Sequence, residues 1–366
     1  MYKVLALVTF RVYPTLMGGQ KGVALFYQYL SRHAKVVMAA SDDNIAESPT
    51  VLNNLYSNKL IIFNIFKLRW LKKLVTSENP DLIIAEHSYP GLFAILLHKT
   101  TGKPFIIHSH NLEYKRFREM GRWWWKWYFK YEKWVHKKAG HSFFISEDDR
   151  SEAIALFKLD QASTSVITYG VEIENSLTRA KARTILGLDP DETILLFNGT
   201  LDYKPNYDAV ITIIDKLNPV LRKHLKNYKF VITGNRASTE LKARLRNEDN
   251  IQYKGYVEKI DLYYQSANLF VNPVINNTGV KTKVIEAVAN NCTTISTKAG
   301  AAGIDINVCG DKLKIVPNDD WDEFAQHIIT FYNCNEQKTP EIFYENYSWI
   351  NIVSKADIEI KKIIEA

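Results

Sequence analysis

The stretch that most constrains this 366-residue chain runs from Asn268 to Ile304, N-L-F-V-N-P-V-I-N-N-T-G-V-K-T-K-V-I-E-A-V-A-N-N-C-T-T-I-S-T-K-A-G-A-A-G-I. Leu269–Val271 is apolar, ends at Asn272-Pro273 and reads as a short buried strand. A polar loop over 275–278 leads to Gly279. From Val280 onward Val284, Ile285, Val288 and Ala289 recur at helical spacing, and Asn290-Asn291 ends the helix. Thr294–Ser296 is a second strand, with Gly300 and Gly303 bracketing the turn after it. Such a strand–loop–helix–strand unit belongs to an α/β fold with a parallel sheet. Gly279 lets backbone amides approach a ligand at the helix N-terminus, where the dipole favours phosphate. Lys281 and Lys283 add positive charge, and Glu286, two turns in, is placed to accept hydrogen bonds from ribose hydroxyls. The unit reads as a seat for a nucleotide diphosphate.

A chain of this length exceeds one ordinary core and predicts two domains. Apolar content of 46% and charged content of 24% are globular values. No run approaches the ~18–20 apolar residues of a membrane span. The opening M-Y-K followed by V-L-A-L-V-T-F is too short for a signal peptide and reads as a first strand. Cys292, Cys309 and Cys334 are odd in number and lack C-x-x-C spacing, which predicts a reduced, cytoplasmic chain without zinc or a disulfide framework. The net charge of +7 is local: Tyr114–Lys138 holds nine basic and two acidic residues. A local excess of this kind points to a local anionic partner.

The first half alternates strand and helix signals, the pattern of a doubly wound parallel sheet. Strands are expected at Val4–Val8, Val36–Ala39, Leu60–Phe63, Leu82–Ala85, Phe105–Ile107, 143–145 and 166–168. A loop over Tyr13–Gly19 ends in Gly18-Gly19, and a helix follows from Gln20 to about Ser31. No G-x-G-x-x-G follows the first strand, which disfavours a nicotinamide-type dinucleotide site. His108 and His110, in P-F-I-I-H-S-H-N-L-E, leave the C-terminal end of a strand, the ligand side of an open α/β sheet.

Five of the eight tryptophans lie between Trp123 and Trp134. At 100° per residue, Arg122, Lys126, Lys130, Lys133 and Lys137 fall in one arc of about 80°. Trp123, Trp124, Trp127, Tyr128, Tyr131, Trp134 and Val135 fill the arc beside it, with Trp125 and Phe129 outside. A basic stripe beside an aromatic face suits a helix lying on an anionic membrane surface. A core-facing helix with a solvated basic edge has the same pattern. A nucleic-acid partner is not expected, since no nucleic-acid module is visible.

The second half restarts the α/β rhythm at Thr193–Asn198, followed by the turn F-N-G-T-L-D-Y-K-P-N with Gly199 and Lys204. Phe230–Thr233 with Gly234-Asn235 is the next strand and turn, and Gly255-Tyr256-Val257 follows another strand. Tyr347-Ser348-Trp349 opens a terminal helix to about Ile364. The polar stretch from Ile173 to Arg183 reads as linker and helix.

The run G-V-K-T-K-V-I-E-A resembles the donor-binding helix of the retaining glycosyltransferases of the GT-B fold, glycosyltransferase family 4. That family commonly frames the glycine turn with two glutamates eight positions apart. Glu286 matches the second, which binds the nucleotide ribose; the first falls on Thr278. Other matches extend the resemblance over nearly the whole chain: Gly18-Gly19, His110-Asn111, Gly170-Val171, Gly199 and Gly300 to Gly303. The resemblance implies two Rossmann-like doubly wound domains facing each other across a cleft. Their expected limits are 1–168 on the acceptor side and 169–347 on the donor side, with a helix over 348–366 returning to the first domain.

On the same resemblance, the catalytic set is His110 beside the donor sugar, Lys204 on the diphosphate and Glu286 on the ribose. Gly18, Gly19, Gly199, Gly279 and Lys281 would face the phosphates, and the backbone of Tyr256 and Val257 the base. The leaving diphosphate, held by amides and basic groups, can serve as base for the acceptor hydroxyl. No cofactor or metal is implied beyond a UDP- or GDP-linked sugar as donor substrate, in keeping with the absence of a carboxylate or histidine cluster along the sequence. The acceptor is expected to be a glycan or lipid-linked hydroxyl, met at the inner face of a membrane. Asp189-Pro190-Asp191 has the D-x-D spacing of metal-dependent transferases but reads as a helix-to-strand turn. The fold also hosts sugar-nucleotide epimerases and inactive nucleotide-sugar-binding subunits, and the absent first glutamate keeps these readings open.

Overall fold

A computed structural model describes residues 1–15, 18–45, 50–172, 177–275, 279–333 and 338–365. Thr278, Cys334 and the first residues of the expected linker lie outside the described residues. The chain forms two compact units, Met1–Gly170 with Trp349–Ala366, and Val171–Ser348. Each has its own parallel sheet of Rossmann-like type.

In the first unit the strands are β1 (Lys3–Val8), β2 (Lys35–Ser41), β3 (Val51–Leu55), β4 (Leu82–Glu86), β5 (Phe105–Ser109), β6 (His141–Phe144) and β7 (Thr164–Val166). They lie in the order β3-β2-β1-β4-β5-β6-β7, every pair parallel. The chain winds outward from β1 through β2 and β3, then returns to the other side of β1 with β4. The switch point between β1 and β4 opens a crevice at their C-terminal ends. Leu5, Leu7, Ile83, Ala85 and Ile107 face one helix layer, built from α2 (Leu68–Glu78), α3 (Gly91–Thr101) and α5 (Trp125–Lys138). The terminal helix Trp349–Glu365 belongs to this unit and packs with α1 (Gly18–Leu30).

Several expectations are corrected. Leu60–Phe63 is not a strand but part of a 3-10 segment, Asn58–Lys67. The sheet edge there is β3, which was not anticipated. Once β3 has closed the edge, the chain must turn away, and the buried Asn64 fixes that turn by bonding both backbone groups of Tyr56. Strands expected at 143–145 and 166–168 start two residues earlier, because parallel pairing of Ile106 with His141 sets the register. Gly18-Gly19 opens α1 instead of closing the preceding loop.

The basic stripe is also changed. Arg122 precedes α5, and Lys133 donates to the carbonyl of Leu156. Trp125 and Phe129, placed outside the aromatic face, instead pack with Tyr128 against Leu112, Tyr114, Phe144 and Phe157. Tyr131 and Val135 join the layer under the sheet, so the expected aromatic face is split. Trp123 and Trp127 remain outside, 82% and 68% exposed. The cause is a second packing surface: α4 (Glu113–Glu119) occupies one flank of α5 and the helical segment Ile154–Lys158 another.

The second unit holds β8 (Thr193–Asn198), β9 (Tyr228–Thr233), β10 (Ile251–Gly255), β11 (Leu269–Asn272), β12 (Thr293–Thr297) and β13 (Leu313–Val316). Their order is β10-β9-β8-β11-β12-β13, all parallel. Here the switch point lies between β8 and β11. Asp189-Pro190-Asp191 is a turn between helix Arg179–Leu186 and β8, with the Asp191 amide donating to Asp189 Oδ1 at 2.8 Å.

Candidate active site

At the switch point of the first unit the sequence converges on one carboxylate. Glu86 ends β4 and is the register partner of His108 on β5. It is fully buried and accepts three hydrogen bonds. Tyr27 of α1 donates its hydroxyl at 2.6 Å, His108 Nδ1 lies at 3.1 Å and His110 Nε2 at 2.6 Å. Burial alone would raise the Glu86 carboxyl, but His108 and His110 outweigh it and hold the group well below the usual carboxylate range. Burial, then the Glu86 charge, keeps the Tyr27 phenol protonated and donating. His110 is lowered by burial first and by His108 second, so a neutral imidazole donates to Glu86. Its side chain, 16% exposed, is the most accessible of the four.

A second carboxylate flanks the first. Glu113 opens α4, accepts from the Tyr89 hydroxyl and pairs with Arg116 Nη2 at 2.6 Å. Burial raises it, but His87, Arg116 and Tyr89 together hold it down to about 2. His87 stacks on His110 with centroids 4.6 Å apart and has φ 62°, a strained value for a non-glycine residue at a strand end. Its Nδ1 lies 3.3 Å from Glu113 Oε1 without hydrogen-bond geometry. Below these, burial pushes Glu132 up to about 8 while it accepts from Ser88 and from the amides of Glu113 and Tyr114.

Contrary to the expectation from the sequence, the folded chain does contain a carboxylate–histidine cluster. Glu86, His108 and His110 converge, and among the described residues they form a group with the right atoms to hold a metal ion. Residues 22 and 24 positions apart in sequence became neighbours through the parallel register of β4 and β5. As they stand, the imidazoles and Tyr27 saturate Glu86 with hydrogen bonds. Gly18 and Gly19 lie in the first turn of α1, and a side chain at Gly19 would meet open space.

In the second unit the switch point is built from close backbone contacts. Gly234 after β9 has φ 139°, and a Cβ there would fall 1.8 Å from the Gly199 carbonyl oxygen. A Cβ on Gly199 would come 2.7 Å from the Asn206 side chain. Asn206 donates to the Thr200 carbonyl and accepts from Lys283 Nζ at 2.9 Å. Lys283, in the first turn of helix Thr282–Ala289, also donates to the Asn198 carbonyl at 3.2 Å and sits 4.4 Å above the Phe197 ring. Burial, then the nearby Lys281 charge, pushes its ammonium down to about 7. Of the two lysines in the motif, Lys283 is thus the one joined to the Gly199 turn. Lys281 Nζ donates to the Gly279 carbonyl at 3.0 Å, and Gly279 itself has φ 67°.

Glu286 is half-buried on the same helix. Burial first, then the Glu286 charge, holds the Tyr264 phenol far above its usual value, and that phenol accepts from Asn198 at 3.2 Å. Lys283 and Asn206 therefore meet the Gly199 turn at the end of β8, and Glu286 lies one helical turn beyond Lys283. Tyr256 is exposed and Val257 half-buried just after Gly255, which has φ 71°. Lys204 stands apart: its side chain is 82% exposed and paired with Asp208 at 2.7 Å. Sequence reading missed Glu86, Tyr27, His87 and Asn206, and left Lys283 out of the expected contacts.

Comparison with known proteins places this geometry. Residues 17–175 match the model described as Glycosyltransferase Family 4, and residues 192–334 that of Glycosyl transferases group 1. An uncharacterised 44.6 kDa protein in the cps region of Klebsiella pneumoniae is 25% identical over 88% of this chain and 82% of its own. Sucrose-phosphate synthase from Thermosynechococcus elongatus superposes with a TM-score of 0.79 at 17% identity, covering 99% of both chains. A second solved structure, Alr3699/HepE of Anabaena in complex with UDP, gives a TM-score of 0.71 at 14% identity over 98% of this chain and 100% of its own. Fold and matches define the class, a glycosyltransferase of the GT-B fold. The chain belongs to glycosyltransferase family 4.

Proposed function

We propose that this enzyme moves a sugar from a UDP- or GDP-linked donor to an acceptor hydroxyl with retention of configuration and without a metal. The observation that supports the reading best is the Lys283 ammonium, buried against the Gly199 turn at the switch point of the second unit. A buried cation beside close-approach backbone is suited to a diphosphate, whose developing charge it would stabilise as the sugar departs. Glu286 would hold the ribose and His110 the donor sugar, with Glu86 fixing the His110 ring. Lys204 would have to leave Asp208 to reach phosphate.

The acceptor is a glycan or lipid-linked hydroxyl in surface polysaccharide or glycolipid synthesis, a reading favoured by the relative in the cps region. Among the described residues no helix is long and apolar enough to cross a membrane. The enzyme would act in the cytoplasm, peripherally on the inner face through Tyr114–Lys138, whose nine basic and two acidic residues suit an anionic surface. The test is incubation of the purified protein with UDP- and GDP-sugars and candidate acceptors, following nucleotide release and the anomeric form of the product. Release that EDTA leaves unchanged and an α-linked product from an α-linked donor support the reading; inversion overturns it. Thr278 in the place of the first glutamate favours a second reading, an epimerase or an inactive binding subunit. Recovery of an isomerised nucleotide sugar, or binding without turnover, would establish that one instead.

A further inference from the structure

The segment Asn58–Lys67 is built inside out. Three of its polar side chains face the protein: Asn64 is fully buried on Tyr56, Asn58 is tied to Thr9 at 2.5 Å, and Lys67 Nζ reaches Asn54 Oδ1 at 2.9 Å while lying over the Tyr56 ring. Its apolar side chains face outward. Leu60, Phe63 and Ile65 are exposed, and Ile62 and Phe66 reach 73% and 77% exposure. Only Ile61 turns in, against the layer beneath the first sheet. A surface loop in water normally has the opposite arrangement, and five large apolar side chains within seven positions form a patch, not scatter.

The surrounding charge says what such a patch meets. From Ser57 to Ser77 the sequence has five basic residues and no acidic one. Arg69 and Lys73 are exposed on α2, which continues directly from the segment. Its helix layer also carries α5 with Trp127 exposed. A protein interface would be expected to pair some of these cations with carboxylates. Apolar tips ringed by uncompensated cations instead suit an interface that is oily below and anionic above.

We infer that Asn58–Lys67 is a membrane-docking element: Ile62 and Phe66, with Leu60, Phe63 and Ile65, enter the acyl boundary of an anionic bilayer while Arg69 and Lys73 meet its headgroups. This deepens the peripheral-membrane part of the proposed function and is independent of the donor or the reaction. The polar anchors of Asn58, Asn64 and Lys67 keep the tips presented before contact, so little ordering accompanies docking.

The test is co-sedimentation of the full chain with vesicles of phosphatidylcholine alone or with phosphatidylglycerol, at low and high salt, with no substrate present. Wild-type protein is expected to bind the anionic vesicles, more weakly as salt rises. Ile62→Ser with Phe66→Ser should weaken binding by about tenfold or more, since both side chains lose their buried area in the bilayer. The melting transition should stay in place, because both side chains are exposed in the folded chain. Arg69→Glu with Lys73→Glu should weaken the preference for the anionic lipid. Trp123→Ser with Trp127→Ser reports on α5 separately. Wild-type binding that survives the Ile62 and Phe66 substitutions overturns the inference, even if the tryptophan variant then fails to bind. Absence of wild-type binding at low salt overturns it too. So does self-association removed by the same substitutions without any binding to lipid, which would make the patch an interface between copies.

Discussion

Replacing Lys283 by methionine keeps an apolar side chain of similar reach and removes the amine that lies 4.4 Å over the Phe197 ring. That amine titrates near 7, against 10.5 for an ordinary lysine, because it is buried and beside Lys281. At pH 7 it is therefore protonated in roughly half of the molecules. A diphosphate in contact would favour the charged form, so binding should draw in about half a proton at pH 7 and more at pH 8. A sugar nucleotide has no group of its own titrating in that window, which assigns the uptake to the protein. Isothermal titration in two buffers of different ionisation enthalpy measures it directly. The dissociation constant should rise between pH 7 and 9, approaching tenfold per unit. Lys283→Met forfeits a charge-assisted hydrogen bond worth about 1.5–3 kcal/mol, a loss of ~10–150-fold in affinity, and with it the pH dependence. Stability gives a second sign. The folded pKa lies below the unfolded one, so the unfolded chain binds more protons between about 7 and 10.5 and the free protein gains stability as pH rises through that window. The methionine variant should lack that gain. Buffer-independent binding enthalpies together with an unchanged dissociation constant in Lys283→Met would refute the reasoning.

Glu86→Gln should cost about 1–3 kcal/mol at pH 7, since Tyr27, His108 and His110 lose a charged acceptor. Its folded pKa is depressed, so the wild type's advantage in urea melts should hold above about pH 5 and shrink as the pH falls below the ordinary carboxylate range. Gly234→Ala places a methyl on the Gly199 carbonyl at a backbone angle unsuited to a side chain. It should destabilise by at least about 3 kcal/mol, read as a lowered urea midpoint, whereas Gly19→Ala, with open space beyond it, should be nearly neutral. Glu286→Gln should leave the melting curve in place and lower donor affinity by one to two decades, about 1.5–3 kcal/mol, measured by titration. His110→Ala should depress turnover far more than affinity for free UDP or GDP; if His108→Ala shows that split and His110→Ala does not, the assignment moves by two residues.

The fold was legible where local pattern and tertiary role agree. Thr193–Asn198 and Leu269–Asn272 are apolar runs ended by turn residues, and they are strands because a doubly wound sheet buries both faces. Leu60–Phe63 has the same local signal and fails, since an apolar run is also what a segment facing outward looks like; its Asn64 anchor depends on Tyr56 being near in space. In the site, Glu286 and His110 were readable from motifs, but Glu86 was not. An acidic residue closing an apolar run carries no mark of its partners until β4 and β5 are set in register, one residue's shift of which would turn it away. Lys283 was visible as a charge, but its desolvation was not, because spacing along a helix does not reveal that the Asn198 carbonyl and Asn206 hold its ammonium. The split face of α5 has the same origin: a helical wheel assumes one packing surface, and α5 has two.

The placement of the helix Trp349–Glu365 bears on how the chain is made. Trp349 packs against Tyr169, with centroids 5.5 Å apart, and against Tyr29; Asp357 receives the Tyr2 hydroxyl at 2.8 Å. Partners for residues 2, 29 and 169 therefore lie 355, 320 and 180 positions further along. On the ribosome, the second unit is complete while the first still exposes the Tyr29 and Tyr169 flank that this helix will cover. The unit synthesised first is thus sealed last, and a chain cut before Trp349 would hold every element of the second unit and an unfinished first one.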